Sequence, residues 1–156
     1  MSVEKVTSYL KQFDLDKKIM QFDVSSATVE LAALAVGCEP AHIAKSLTFL
    51  VNDKPVMIVC AGDTKIDNSK YKAVFGEKAK MLKFEEVESL VGHAVGGVCP
   101  FAVNDEVAVF LDEMLKRFDV VYPACGSSNS AIGLKVEELE KVAQNCKGFI
   151  DVCKQM

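Results

Sequence analysis

Leu47-Thr48-Phe49-Leu50-Val51-Asn52-Asp53-Lys54-Pro55-Val56-Met57-Ile58-Val59-Cys60-Ala61 reads as two β-rich runs joined by a turn. Residues 47–51 and 56–61 are apolar and rich in β-formers, and Asn52-Asp53-Lys54-Pro55 carries the turn chemistry of a hairpin. Upstream, Val3, Val6, Leu10 and Phe13 recur at helical spacing and predict a helix over residues 3–13. A second helix runs from about Thr28 to Val36, with Ser25, Ser26 or Thr28 as its cap and Gly37 after its end. Downstream, helices are predicted over 68–75, closed by Gly76, over 84–91, closed by Gly92, and over 136–145. Residues 107–111, 120–122 and 131–135 read as strands. Short strands mixed with scattered helices, without regular βαβ alternation, predict an α+β fold with a mixed or mostly antiparallel sheet.

The whole chain, residues 1–156, is expected to form a single domain. A hydrophobic content of 50% and a mean hydropathy of +0.19 suit a packed globule and exclude a disordered chain. No run of apolar residues reaches membrane-spanning length, and Met1-Ser2-Val3-Glu4-Lys5 has no apolar signal region, so a cytoplasmic location and no membrane partner are expected. The six cysteines are scattered, mostly in apolar contexts and without a Cys-x-x-Cys pair. They read as reduced thiols acting as small hydrophobes.

A net charge of −4 argues against a general nucleic-acid coat protein, and DNA is not an expected partner. The charge is uneven, however. Lys65, Lys70, Lys72, Lys78, Lys80 and Lys83 face only Asp67 and Glu77 in residues 65–83. That stretch is either a solvated helix surface or a basic face for one part of a polyanion.

Gly92-His93-Ala94-Val95-Gly96-Gly97-Val98-Cys99-Pro100-Phe101 packs three glycines and a proline between a helix and a strand. Such a loop offers main-chain N–H groups, which can hold a carbonyl oxygen or an anion without a side chain. His42 and His93 are the only histidines, and no Gly-x-Ser-x-Gly elbow exists, so a Ser-His-Asp hydrolase has little to stand on. His93 reads as a base, a substrate contact or a plain loop residue. Cys99 reads as a packing residue or, with a lowered thiol pKa, as a nucleophile. Lys45 interrupts the apolar run Ile43-Ala44-Lys45-Ser46-Leu47 and must either snorkel to solvent or serve a charged ligand. No metal-ligand spacing appears, and neither metal nor cofactor is expected.

Four blocks then fall in order: Ala44-Lys45-Ser46-Leu47, Gly62-Asp63-Thr64-Lys65-Ile66-Asp67, Gly96-Gly97-Val98-Cys99-Pro100-Phe101 and Gly126-Ser127-Ser128-Asn129. Over residues 25–142 the chain resembles the YbaK/EbsC-type aminoacyl-tRNA deacylases, relatives of the editing insertion of bacterial prolyl-tRNA synthetases. The resemblance implies a mixed, barrel-like sheet flanked by helices. It also implies hydrolysis of the ester joining a wrong amino acid to the 3′-terminal adenosine of a tRNA. It maps the active site onto Lys45, Gly96, Gly97, Val98, Cys99 and Pro100.

On this reading the loop amides from Gly96 to Cys99 stabilise the oxyanion and Lys45 holds the terminal phosphate or ribose. Water, the ribose hydroxyl or a substrate thiol attacks. Phe101, Val98 and Cys99 line a size sieve. His93, Asp112, Gly126, Ser127, Ser128 and Asn129 are further candidate substrate contacts, and Lys65, Lys70 and Lys72 candidate tRNA contacts. The implied protein is a free-standing, trans-acting editor of tRNA(Pro) carrying Cys, Ala or Ser, with the tRNA acceptor end, and a possible prolyl-tRNA synthetase, as partners. Gly126-Ser127-Ser128-Asn129 matches neither the basic motif of the cysteinyl branch nor the His-Pro-rich segment of the alanyl branch, so the amino acid stays open. The rival readings are a non-catalytic aminoacyl-tRNA or synthetase-binding module and a Cys99-dependent thiol enzyme.

Overall fold

The computed structural model describes residues 2–156. Its first half runs α1 (Ser2–Lys11), β1 (Met20–Gln21), α2 (Val29–Val36), β2 (Ile43–Val51), β3 (Lys54–Ala61), β4 (Thr64–Ile66), α3 (Asn68–Phe75) and α4 (Phe84–Val91). The second half runs β5 (Ala108–Asp112), β6 (Val120–Pro123), β7 (Ser130–Ala131), β8 (Leu134–Lys135), α5 (Val136–Val142), β9 (Cys146–Ile150) and β10 (Cys153–Gln155).

The hairpin is the spine. β2 and β3 pair antiparallel from Ala44↔Ala61 to Val51↔Lys54, and Asn52 and Asp53 turn the chain with positive φ. A six-stranded sheet grows outward from it in the order β8-β6-β2-β3-β5-β9. The β2–β6, β3–β5 and β5–β9 pairings are parallel and β6–β8 antiparallel, so the sheet is mixed. Two small antiparallel pairs, β1–β7 and β4–β10, close its flanks.

From Pro55 to Ala61 every residue of β3 is buried, because both faces of the sheet are covered. Met57, Val59 and Ala61 face the larger core, with Val6 and Leu10 of α1, Val87 and Val91 of α4 and Leu139 of α5. Val56, Ile58 and Cys60 face a smaller core with Phe49, Tyr71 of α3 and the returning Val152 and Cys153.

Local chemistry sets the helix ends. Thr28 caps α2 by accepting the Leu31 N–H at 3.2 Å, and Gly37 ends it in the left-handed region. Asp67 caps α3. Two expectations are corrected. The predicted strand over 131–135 is two short strands with different partners, β7 on β1 and β8 on β6. The last helix stops at Val142, and the chain continues into β9 and β10, which sequence reading missed. Among the described residues no helix is long and apolar enough to cross a membrane.

Candidate functional site

Three segments far apart in the chain meet above β2. The Ser26 N–H donates to Ser128 O at 2.6 Å and the Phe22 N–H to Asn129 O at 2.8 Å. Gly97 lies so close to Gly126 that a Cβ on it would come within 2.6 Å of the Gly126 carbonyl. Between these segments and β2 lies a cleft of about 440 Å³. Ser26 and Thr28 line it from the start of α2, Lys45 and Ser46 from β2, and Gly96 and Val98 from the glycine loop. Met81, Phe84 and Val95 are exposed residues of the same wall.

The cleft opens where β2 lacks a neighbour. On its outer edge β6 reaches only Ile43 and Ala44. Further along, the Leu82 N–H donates to Thr48 O and the Leu50 N–H to Lys80 O. Even-numbered residues of β2 therefore point their main-chain groups outward, and Ser46 lies between the two paired stretches. Its N–H and C=O face the cleft without a strand opposite.

Lys45 is half-buried, and its ammonium donates to the Thr64 carbonyl. Among the described residues no carboxylate forms an ion pair with it. A cation in this position, held by one neutral oxygen, keeps most of its capacity for an anionic or carbonyl ligand. Among the described residues it is also the only charged one lining the cleft, and none of them brings a carboxylate to its walls.

The glycine loop is divided in its duties. Gly96 and Val98 line the cleft, and among the described residues their N–H groups have no main-chain acceptor. The Gly97 N–H is spent on Ala94 O at 3.0 Å, closing the turn, so Gly97 is not a donor to an occupant. Pro100 is buried and its carbonyl accepts from the Gln144 N–H at 2.8 Å, which anchors the loop exit.

Several residues expected at the site lie in the core instead. Phe101 is fully buried beside Tyr9, with ring centroids 6.3 Å apart. Of the proposed sieve only Val98 reaches the cleft. Asp112 is fully buried and structural: one carboxylate oxygen accepts from the Met114 N–H at 2.9 Å, the other from the Val152 N–H at 3.0 Å. Ser127 Oγ lies 2.8 Å from Asn129 Oδ1, and the Asn129 amide donates to Phe22 O at 3.0 Å, so this turn latches the loops. Gly126, Ser127 and Ser128 line a neighbouring hollow with Lys5 rather than the cleft. Lys65, Lys70 and Lys72 do not line the cleft either, and Lys70 is paired with Asp151 at 2.9 Å. Sequence reading gave Ser26 only as a possible helix cap and Ser46 only as part of a motif. Among the described residues no group of three His, Cys, Asp or Glu could hold a metal.

His93 and Cys99 are both fully buried. His93 Nε2 lies 2.6 Å from the Phe101 carbonyl, which can only accept, so Nε2 carries the proton and Nδ1 is left without a partner. Cys99 Sγ sits 3.5 Å from the same Nε2, which has no lone pair to take a thiol proton. Burial pushes the Cys99 thiol up to about 12. This geometry is that of a packed thiol, not an activated nucleophile.

Burial lowers the His93 pKa below its ordinary value. The folded state therefore resists protonation while the unfolded chain accepts a proton below about pH 6.5. Stability is expected to fall as pH drops from 7 to 5, by at most about 1.4 kcal/mol per pH unit for this one proton. Asp63, held low by the Arg117 guanidinium at 2.6 Å, has the opposite sign of charge and loses its contribution only in more acid solution, toward pH 4 and below. Thermal melts at pH 7.5, 6.5 and 5.5 should show the slope, and His93→Gln should flatten it. An equal slope in the variant would assign the effect to another group.

The aminoacyl-tRNA editing domain model matches residues 23–142. The chain is 47% identical to the uncharacterized protein YwhH of Bacillus subtilis (strain 168), over 99% of this chain and 98% of that one. It is 26% identical to a proline–tRNA ligase of Bacillus cytotoxicus over 79% of this chain, but spans only 22% of that enzyme's length. A crystal structure described as a candidate trans-editing enzyme for prolyl tRNA synthetase superposes with a TM-score of 0.87 at 27% identity, covering 98% of this chain and 97% of that one.

Proposed function

The chain belongs to the aminoacyl-tRNA editing domain family, and from that premise we propose that it deacylates mischarged tRNA as a free-standing editor. The substrate is tRNA(Pro) bearing a small non-cognate amino acid. One observation carries the reading: unpaired loop amides at Gly96 and Val98 share one small cleft with a lysine that has no carboxylate partner. An aminoacyl ester is already activated, so amides aimed at its developing oxyanion suffice without a side-chain nucleophile activated by a neighbouring base. Each such donor is worth on the order of 10²–10³ in rate. Lys45 fixes the terminal phosphate or ribose so that the ester lies against the loop. Water, the neighbouring ribose hydroxyl or a substrate thiol makes the attack.

The mouth suits the end of a tRNA. Phe84 and Met81 are 75% and 58% exposed, and the exposed Lys80 and Lys83 stand beside them in sequence. Aromatic and apolar surface takes a base face, and lysines take phosphates. The relation to proline–tRNA ligases favours that synthetase as the protein partner, and translation in the cytoplasm as the setting.

The test is release of labelled amino acid from tRNA(Pro) charged separately with alanine, serine, cysteine and proline. Selective release of one small non-cognate residue, with prolyl-tRNA spared, is the expected result. No release from any of them would favour the binding-module reading. In the same assay Cys99→Ser should keep turnover within about tenfold of wild type, because its main-chain amide is retained and its thiol is not used. Abolished turnover in a folded Cys99→Ser protein would establish the thiol enzyme instead.

A further inference from the structure

Among the described residues four buried side-chain polar atoms lack a hydrogen-bond partner, and two of them, Ser26 Oγ and Ser46 Oγ, belong to residues of the cleft wall. Ser26 is 9% exposed. A buried hydroxyl without a partner costs about 1–3 kcal/mol, and two in one small cleft call for a common explanation. Main-chain groups add to the pair. Ser46 also turns its N–H and C=O into the gap beside β2, between Ala44 and Thr48. The cleft is thus lined by donors and acceptors together with apolar residues, Val87 and Val98 among them.

We propose that Ser26 and Ser46 make the cleft selective for small acyl groups carrying a side-chain hydroxyl, seryl above alanyl. This rests on the editing function proposed above and names the acyl group that the same cleft takes. The charge of the site chooses between the two polar groups an aminoacyl ester offers. An α-ammonium would want a carboxylate, and the wall has none among the described residues, while Lys45 would repel it. A neutral hydroxyl both donates and accepts, so it matches the two serine oxygens and the Ser46 main chain together. A turn about one Cα–Cβ bond, between staggered rotamers, brings either hydroxyl toward the occupant.

The selectivity follows from what an alanyl group leaves behind. In a purely apolar pocket a missing group changes the rate by about 10–200-fold, but a pocket built around a hydroxyl penalises its absence far more, because its own polar atoms stay unpaired. A seryl over alanyl preference on the order of 10²-fold is therefore expected for two hydroxyls that can still reorient.

The experiment pairs hydrolysis with binding. Deacylation of seryl-, cysteinyl- and alanyl-tRNA(Pro) is measured for wild type, Ser26→Ala and Ser46→Ala. Binding of the amide-linked 3′-seryl and 3′-alanyl analogues of aminoadenosine is measured by calorimetry on the same proteins. Seryl should be favoured in both assays, and each variant should cut the preference by about tenfold. Both variants should melt no lower than wild type, since each removes an unpaired buried oxygen. Equal or better handling of the alanyl compounds, or an unchanged ratio in the variants, would overturn the proposal. Preferential binding of the seryl analogue without hydrolysis of any ester would support this selectivity and refute the deacylase reading.

Discussion

Lys45→Ala is expected to lower kcat/KM for deacylation by about 10²-fold or more while leaving the sheet assembled. The size follows from position. Lys45 sits in mid-strand, paired with Cys60 of β3, so its backbone is fixed by the hairpin whatever side chain it carries. Its ammonium has one neutral partner, the carbonyl of fully buried Thr64, and stands on the same cleft as the free amides of Gly96 and Val98. Removing it takes away the cation that orients the substrate. It also leaves the Thr64 carbonyl short of a donor, a cost of about 1–3 kcal/mol and so a melting temperature lower by several degrees. Lys45→Met separates the two effects by keeping the apolar stem and losing the charge. Single-turnover deacylation and thermal melting on both variants make the check. Activity within a few-fold of wild type in Lys45→Met would remove the ammonium from the mechanism.

The second large effect is expected at Gly97. A Cβ there would meet the Gly126 carbonyl carbon and oxygen at 2.6 Å and the Ser127 nitrogen at 2.7 Å. All three are backbone atoms, so no side chain can swing aside. Overpacking of this kind costs about 1–3 kcal/mol, here at its upper end, and lowers the melting temperature by roughly 4–10 °C. The loop must then move off the 126–130 turn, and a displacement near 1 Å in a positioned group costs about 10² in rate.

Gly96→Ala is the control. Gly96 has φ +96°, which strains an alanine by about 1–2 kcal/mol, but its nearest neighbour is a side-chain atom at 3.5 Å. Gly97→Ala should therefore lose more stability and more activity than Gly96→Ala. The reverse order would mean that backbone conformation, not contact between the two loops, governs the site.

The parts of this molecule that were legible beforehand are those specified by neighbours in sequence. The hairpin follows from two apolar runs around Asn52 and Asp53. α2, α3 and α4 end where Gly37, Gly76 and Gly92 adopt positive φ. The parts that were not legible depend on distant partners. β9 shows no alternation of burial, and its place at the sheet edge is set by parallel pairing with β5. Residues 131–135 look continuous but are divided at Gly133, where a Cβ would press within 2.8 Å of the Tyr122 ring.

The same divide runs through the site. Lys45, Gly96 and Val98, singled out by their motifs, line the cleft. His93, Cys99, Phe101 and Asp112 carry suggestive chemistry but are fully buried. Residue type announces what a side chain can do, and only packing decides whether anything can reach it. Ser26 and Ser46 are the converse case, two commonplace residues that matter through what they fail to bond.

The meeting of three distant segments above β2 has a consequence for how the protein folds. The hairpin joins Val51 to Lys54 and zips from there, so its contacts are local and quickly closed. The cleft joins Phe22 to Asn129 and Ser26 to Ser128 by hydrogen bonds and brings Gly97 against Gly126, each contact closing a long loop of chain. Loop-closure entropy falls most heavily on those contacts, so the sheet's spine can stand before the pocket exists. The scaffold is thus an early product of folding and the site a late one. A lesion that spares the hairpin can still leave a protein with its architecture and without its cleft.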